Sequence, residues 1–173
     1  MNQLISKLAI SEVFYSIQGE GITSGYPAVF VRLGGCNLMC GGMGTQFDKE
    51  LHNNATWRCD TIEPLIQQNA LKCFIEYIDL LYKNVYIEIE TNGTIKPSDY
   101  LTKRIDQWNC SPKFENSGNE KVIFYQKDVI KKLNKLNTIF KFVVSEEKDW
   151  ESIDKLYMPL IERIKNYLTN QNK

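Results

Sequence analysis

Two cysteines with three residues between them follow directly on a strand-like apolar run. Ala28–Leu33 (AVFVRL) leads through Gly34-Gly35 into Cys36-Asn37-Leu38-Met39-Cys40, and a third thiol, Cys59, lies further on in Trp57-Arg58-Cys59-Asp60-Thr61. The glycines let the backbone wrap closely around a bulky ligand. With Cys73 and Cys110 the chain holds five cysteines, an odd set that fits a paired disulfide framework poorly and suits a reducing compartment and metal or redox chemistry. Three readings follow from the spacing. The thiolates hold an iron-sulfur cluster, whose fourth iron is left open to bind a substrate or cofactor; they join His52 or Asp60 in a zinc site; or they are inert buried thiols. Spacing alone leaves all three open.

The rest of the chain alternates between strand and helix patterns. Residues 10–15 (ISEVFY) and 28–33 read as strands separated by a loop rich in glycine. The stretch from Gly34 to Asn54 lacks periodicity and reads as a long loop, a kind that usually carries function. Residues 64–83 have apolar positions at a helical period, 85–90 (VYIEIE) form a strand, and Thr91-Asn92-Gly93 turns the chain. A short helix over 99–108, a helix near 127–136, a strand at 139–144 (IFKFVV) and a helix opened by the acidic run 145–149 complete the pattern. This alternation predicts an α/β class with a largely parallel sheet, in one domain spanning residues 1–173.

The charge balance of 21 basic and 21 acidic residues argues against nucleic acid as a partner and for a small substrate. No run approaches the ~18 to 20 apolar residues of a membrane span, and the N-terminus lacks a secretory signal, so a cytoplasmic location is expected. Cys73 and Cys110 have no partner spacing and read as core residues; His52 reads as solvated rather than catalytic.

The residues around the thiols resemble the radical S-adenosylmethionine (SAM) superfamily, in which three cysteines follow the first barrel strand and the third stands just beyond an aromatic residue, here Trp57. The superfamily spacing is C-x3-C-x2-C; here it is C-x3-C-x18-C, with an insertion from Gly41 to about Thr56. The 7-carboxy-7-deazaguanine synthase family varies at this loop, and further motifs resemble it in order: Glu12 to Gly21 (EVFYSIQGEG), Pro27 to Arg32 (PAVFVR), Glu90 to Thr94 (ETNGT), and Ser111-Pro112-Lys113. The resemblance implies an incomplete β/α barrel of the radical SAM type. It also implies a reaction: ring contraction of 6-carboxy-5,6,7,8-tetrahydropterin to 7-carboxy-7-deazaguanine with loss of ammonia. The product feeds either queuosine in transfer RNA or modified guanine in DNA.

By the same resemblance, a 4Fe-4S cluster sits on Cys36, Cys40 and Cys59, and Thr61 ligates a magnesium ion. Ile17, Gln18, Gly19 and Arg32 bind the pterin, the planar fork of Arg32 suiting its carboxylate. Ser111, Pro112, Lys113, Glu63, Glu90 and Asn92 bind SAM. Residue by residue there are plainer readings: Thr61 as a helix cap, Gln18 as a turn residue, Arg32 as a strand-end surface charge, and Asn92 as part of a turn. The implied partners are a flavodoxin-like or ferredoxin-like electron donor and a second copy of the chain in a homodimer.

The chain departs from the family pattern at the SAM-binding Gly-Gly-Glu-Pro motif. Here Glu63-Pro64 follows Thr61-Ile62 at once, and two residues cannot hold a strand that needs ~5. Similar contractions fall near residue 156 and after Lys173. Either the protein is a shortened relative, or segments of a longer protein are closed up at these points; the second is the expectation, because deleting an inner strand would strand backbone hydrogen-bonding groups. Two rivals carry different functions: a radical SAM activase of a glycyl-radical partner, and a non-catalytic metal-binding interaction domain.

Overall fold

The computed structural model describes residues 8–41, 51, 53–59 and 68–161. They fall into two compact units, one comprising Met1–Asn37 and Thr61–Tyr86, the other Leu38–Asp60 and Ile87–Lys173.

The first unit contains a hairpin of β1 (Ile10–Ile17) and β2 (Pro27–Leu33). Its strands are antiparallel, with Phe14 opposite Phe30, so this pair stands outside the largely parallel pattern expected for the chain. The physical reason is the connection. Residues 18–26 are too few for the crossover of a dozen or more residues that parallel neighbours need, and they close on themselves: the Gln18 N–H donates to the Tyr26 carbonyl (2.8 Å) and the Gly25 N–H to that of Gln18 (2.7 Å). Helix α1 (Gln68–Leu81) accounts for most of the helix expected at 64–83, and residues 64–67 lie outside the described residues. Leu71, Phe74, Ile75 and Ile78 are buried or half-buried along one stripe of α1, as an amphipathic helix requires. Cys73 lies off that stripe and is exposed, so it is not the core residue its lack of partner spacing suggested.

The second unit carries a three-stranded parallel sheet, β3 (Glu88–Thr91), β4 (Gln107–Cys110) and β5 (Thr138–Phe140), with β4 in the centre. The chain alternates around it: α2 (Asp99–Arg104) links β3 to β4; α3 (Lys121–Phe124) and α4 (Lys127–Asn134) link β4 to β5; α5 (Lys148–Leu156) follows. Sequence reading missed β4 and carried a helix to residue 108. That helix ends at Arg104, after an N-cap in which Ser98 Oγ accepts the Leu101 N–H. Gln107-Trp108-Asn109-Cys110 has no apolar run to betray a strand, yet all four residues are buried. Strand alternation puts Gln107 and Asn109 on one face and Trp108 and Cys110 on the other. On the polar face the Asn109 amide donates to Glu88 (3.1 Å) and the Gln107 amide to the Trp108 carbonyl (2.9 Å).

Two strands are shorter than their apolar runs suggest, and β4 sets both limits. Pairing of β3 begins at Glu88 rather than residue 85, because the Ile87 N–H is taken by the Asp106 carboxylate (2.8 Å). Pairing of β5 stops at Phe140 rather than 144, because β4 runs into Ser111-Pro112 and proline has no N–H for the ladder. The apolar face packs on α4, whose Val129, Ile130 and Leu133 are buried. At Gly93 the φ is +73°, and a Cβ there would stand 2.7 Å from Cys110 Sγ and 2.8 Å from Ile130 Cδ1, so the turn after β3 demands glycine. Among the described residues the strands form these two sheets and no closed barrel. No helix among them is long and apolar enough to cross a membrane.

Asp149 at the start of α5 is 2% exposed. Its Oδ2 accepts from the Ser145 N–H (2.8 Å), Ser145 Oγ (3.0 Å), the Glu146 N–H (3.0 Å) and Asn116 Nδ2 (2.9 Å). Burial pushes its carboxyl up, but these hydrogen bonds outweigh that and hold it below the ordinary carboxylate value of 3.8. A depressed folded-state pKa gives stability that is present above the unfolded value and lost as pH falls through the folded one. Asp149→Asn should therefore cost about 1–3 kcal/mol in urea unfolding at pH 7, with the gap to the unsubstituted protein narrowing below about pH 4. A gap independent of pH would contradict this assignment.

Candidate functional site

Two short strips of chain from either side of the long insertion lie side by side in the second unit. The Cys59 N–H donates to the Cys40 carbonyl (3.2 Å), so the backbones of the second and third cysteines meet despite the 18 residues between them. Both strips dock on the 3-10 turn Glu115–Ser117 and the residues after it. The Thr56 N–H donates to the Asn116 carbonyl (2.8 Å), the Gly41 N–H to the Ser117 carbonyl (3.0 Å), and the Met39 N–H to Asn119 Oδ1 (2.9 Å). Arg58 Nη2 returns a bond to the Gly41 carbonyl (3.2 Å). Gly41 has φ +96°, and a Cβ there would sit 2.8 Å from Arg58 Cβ, so the two strips approach as closely as glycine permits.

Cys40 is buried, Cys36 and Cys59 are half-buried, and Asn119 Nδ2 donates to Cys40 Sγ at 3.4 Å. A thiolate that receives an N–H bond is a typical setting of an iron-sulfur ligand, and soft sulfur donors suit iron or zinc rather than hard cations. Cys36 belongs to the first unit. Among the described residues no three His, Cys, Asp or Glu side chains converge closely enough to hold a metal ion. His52, Asp60, Thr61 and Glu63 lie outside the described residues. Cys110 is a different kind of thiol: burial pushes its pKa up to about 12, which the nearby Lys113 only partly offsets, so it stays protonated and inert in the core, as sequence reading expected.

The other motif residues of this unit gather at the carboxyl ends of the parallel strands, where α/β folds place ligands. Ser111 follows β4, and its N–H donates to the Thr91 carbonyl (2.7 Å). Lys113 Nζ bonds Ser111 Oγ (2.8 Å) and stands 5.4 Å from the centre of the Trp57 ring, so the Ser-Pro-Lys motif touches the strip that ends in Cys59. Pro112 is fully buried. Glu90 pairs with Lys141 Nζ (3.8 Å). Asn92 Oδ1 accepts from the Thr94 N–H (3.1 Å) and Thr94 Oγ1 (2.7 Å), so its side chain also shapes the turn.

The first unit holds the remaining predicted residues. Ile17 is exposed. Gln18 is buried, and its Oε1 accepts the Glu20 N–H (3.1 Å). Arg32 pairs with Glu12 (2.7 Å) and lies over the Phe14 ring at 5.9 Å, so it is more than a lone surface charge. Gly19 follows in the hairpin loop.

No family model matches the chain. Curated proteins do. It is 33% identical over 163 residues to the 7-carboxy-7-deazaguanine synthase of Rickettsia prowazekii, covering 82% of this chain and 63% of that protein. To the enzyme of that name from Pyrobaculum aerophilum it is 29% identical over 173 residues (86% and 72%). To that of Methanospirillum hungatei it is 33% identical over 168 residues (88% and 68%). The chain belongs to the 7-carboxy-7-deazaguanine synthase family. It spans less than two thirds of the Rickettsia relative. A solved structure, that of QueE from Escherichia coli, superposes with a TM-score of 0.50 at 24% identity, covering 86% of this chain and 76% of that one, and so shares the mixed α/β fold.

Sequence reading of this family member missed the residues that hold the cysteine strips: Asn116, Ser117 and Asn119. Their only signal was the run Glu115-Asn-Ser-Gly-Asn119, turn chemistry directly after Ser-Pro-Lys-Phe. Gly41→Ala should break the docking of the two strips. We expect a loss of roughly 1–3 kcal/mol in urea unfolding and less iron bound per chain after anaerobic reconstitution; wild-type values for both would contradict the arrangement.

Proposed function

We propose that this chain is the radical SAM domain, residues 1–173, of a lyase that converts 6-carboxy-5,6,7,8-tetrahydropterin to 7-carboxy-7-deazaguanine with loss of ammonia. The observation that carries the proposal is the meeting of three motif elements in one unit: Cys40 bonded backbone to backbone with Cys59 (3.2 Å), and Lys113 of the Ser-Pro-Lys motif over Trp57 at 5.4 Å. Family membership supplies the reaction.

In this reading Cys36, Cys40 and Cys59 are the residues that would hold a 4Fe-4S cluster. When bound, the two groups would supply radical chemistry toward the substrate. The protein's own work is binding, orientation and exclusion of water. Ser111, Pro112 and Lys113 line the SAM site with Glu90, Asn92 and Glu63. The Lys113 ammonium is held in place by Ser111 Oγ at 2.8 Å, which reduces the ordering cost on binding. Ile17, Gln18, Gly19 and Arg32 bind the pterin. The five donors of the Arg32 guanidinium can serve Glu12 and a substrate carboxylate together. Thr61 supplies a hydroxyl to Mg2+, a hard cation that keeps several waters and takes substrate oxygens.

The fold in this reading is a partial β/α barrel, the electron donor is flavodoxin-like or ferredoxin-like, and the working form is a cytoplasmic homodimer. Nothing in the structure favours the activase or the non-catalytic domain. The test is anaerobic reconstitution followed by incubation with SAM, dithionite, magnesium and 6-carboxytetrahydropterin. Mass spectrometry should find both 5'-deoxyadenosine and 7-carboxy-7-deazaguanine. A loaded cluster that yields neither product would contradict the proposal.

A further inference from the structure

We propose that Tyr157 is a positioning residue: by holding the main chain of Lys113 it fixes the Lys113 ammonium beside Trp57, at the carboxyl ends of the parallel strands, ready for an anionic group of the ligand. The inference rests on the reading that Lys113 belongs to the SAM site. The anchor is the hydrogen bond from the Tyr157 hydroxyl to the Lys113 carbonyl, and its direction is settled because a carbonyl can only accept. Tyr157 is fully buried, with its ring packed edge-on to that of Tyr125 (centroids 5.6 Å apart) and tilted on that of Phe142 (5.3 Å). Its backbone is held as well. The Tyr157 N–H donates to the Ile153 carbonyl (2.9 Å), and the Tyr125 hydroxyl donates to the neighbouring Leu156 carbonyl (2.9 Å). Burial pushes the Tyr157 hydroxyl above its ordinary pKa, so it stays a donor at neutral pH.

The chain is thereby held on both sides of Lys113. The Ser111 N–H donates to the Thr91 carbonyl (2.7 Å), and the ring of Pro112 fixes its own φ. After Lys113, the Phe114 carbonyl accepts from the Ser117 N–H (3.0 Å) and from Ser117 Oγ (2.7 Å). With Tyr157 on the carbonyl between them, the Lys113 backbone has one orientation, and so has its Cα–Cβ bond. The long side chain then reaches Ser111 Oγ at 2.8 Å and stands 5.4 Å from the centre of the Trp57 ring. Without the Tyr157 hydroxyl the Lys113 carbonyl loses this partner and the peptide can turn. The ammonium would then be ordered only as ligand binds, at a cost in affinity.

The test reads the position of Lys113 directly. In the reductively methylated, isotope-labelled full chain, nuclear magnetic resonance should find the Lys113 methyl signal, assigned by its absence in Lys113→Arg, moved upfield by the Trp57 ring. Tyr157→Phe should return that signal toward the position of solvated lysines and weaken S-adenosylhomocysteine binding in isothermal titration by about three- to tenfold. Tyr125→Phe removes a hydroxyl from the same aromatic cluster and should change neither. An unmoved signal in Tyr157→Phe would overturn the proposal. Equal effects from Tyr125→Phe, or loss of the fold in Tyr157→Phe, would overturn it too, since the residue would then act through general structure. The underlying reading fails separately: Lys113→Ala that binds S-adenosylhomocysteine as tightly as the unsubstituted protein would remove Lys113 from the SAM site, whatever Tyr157 does to its position.

Discussion

The hydrogen bond from the Cys59 N–H to the Cys40 carbonyl is the contact on which the candidate site depends. Bringing together the ends of a loop this long costs closure entropy that grows only slowly with length. A handful of backbone bonds, each worth about 1 kcal/mol net, can offset it if their partners are rigid. They are: the acceptors lie on the turn Glu115–Asn119, itself fixed by the buried Asn116–Asp149 pair and by Ser117 bonding to Phe114. The insertion between the strips can therefore vary while the cysteines stay in register.

That turn is placed by the sheet. Strand β4 is buried on both faces and bonded on both edges. The residues after it are anchored at Ser111 to Thr91 on one side, and Lys141 is anchored to Cys110 on the other. The Ser-Pro-Lys motif and the turn then leave the carboxyl end of a rigid strand. Placement on a rigid element gives a site its precision, and loop residues gain it only when a fixed neighbour holds them. Here the fixed neighbours are β4 and the buried Tyr157, whose hydroxyl donates to the Lys113 carbonyl.

Much of this was legible in the sequence, and what was not has physical reasons. The alternation of strands and helices in the second unit, the helix over most of 64–83 and the Gly93 turn follow from periodicity and turn chemistry. The antiparallel hairpin was predictable in principle from its short connection. Strand β4 was not, because a central strand with amides on one face lacks both alternation to a solvated side and an apolar run. The cysteine, Ser-Pro-Lys and Glu-Thr-Asn-Gly motifs were visible as motifs, but no pattern could show that Trp57 lies under Lys113 or that Asn119 reaches Cys40. Those contacts join residues 56 and 79 positions apart, and only the folded chain reveals them. The exposed Cys73 shows the converse: lack of partner spacing says nothing about burial.

The claim at the centre of this account is that thiols from both sides of the insertion serve one cluster. The most direct test is the iron content and visible absorbance of anaerobically reconstituted Cys36→Ala, Cys40→Ala, Cys59→Ala and Cys73→Ala proteins. The account predicts that the first three lose the cluster equally and that Cys73→Ala keeps it in full. Retention of the cluster by Cys59→Ala would contradict it, because the meeting of the two strips would then be architecture without a shared ligand.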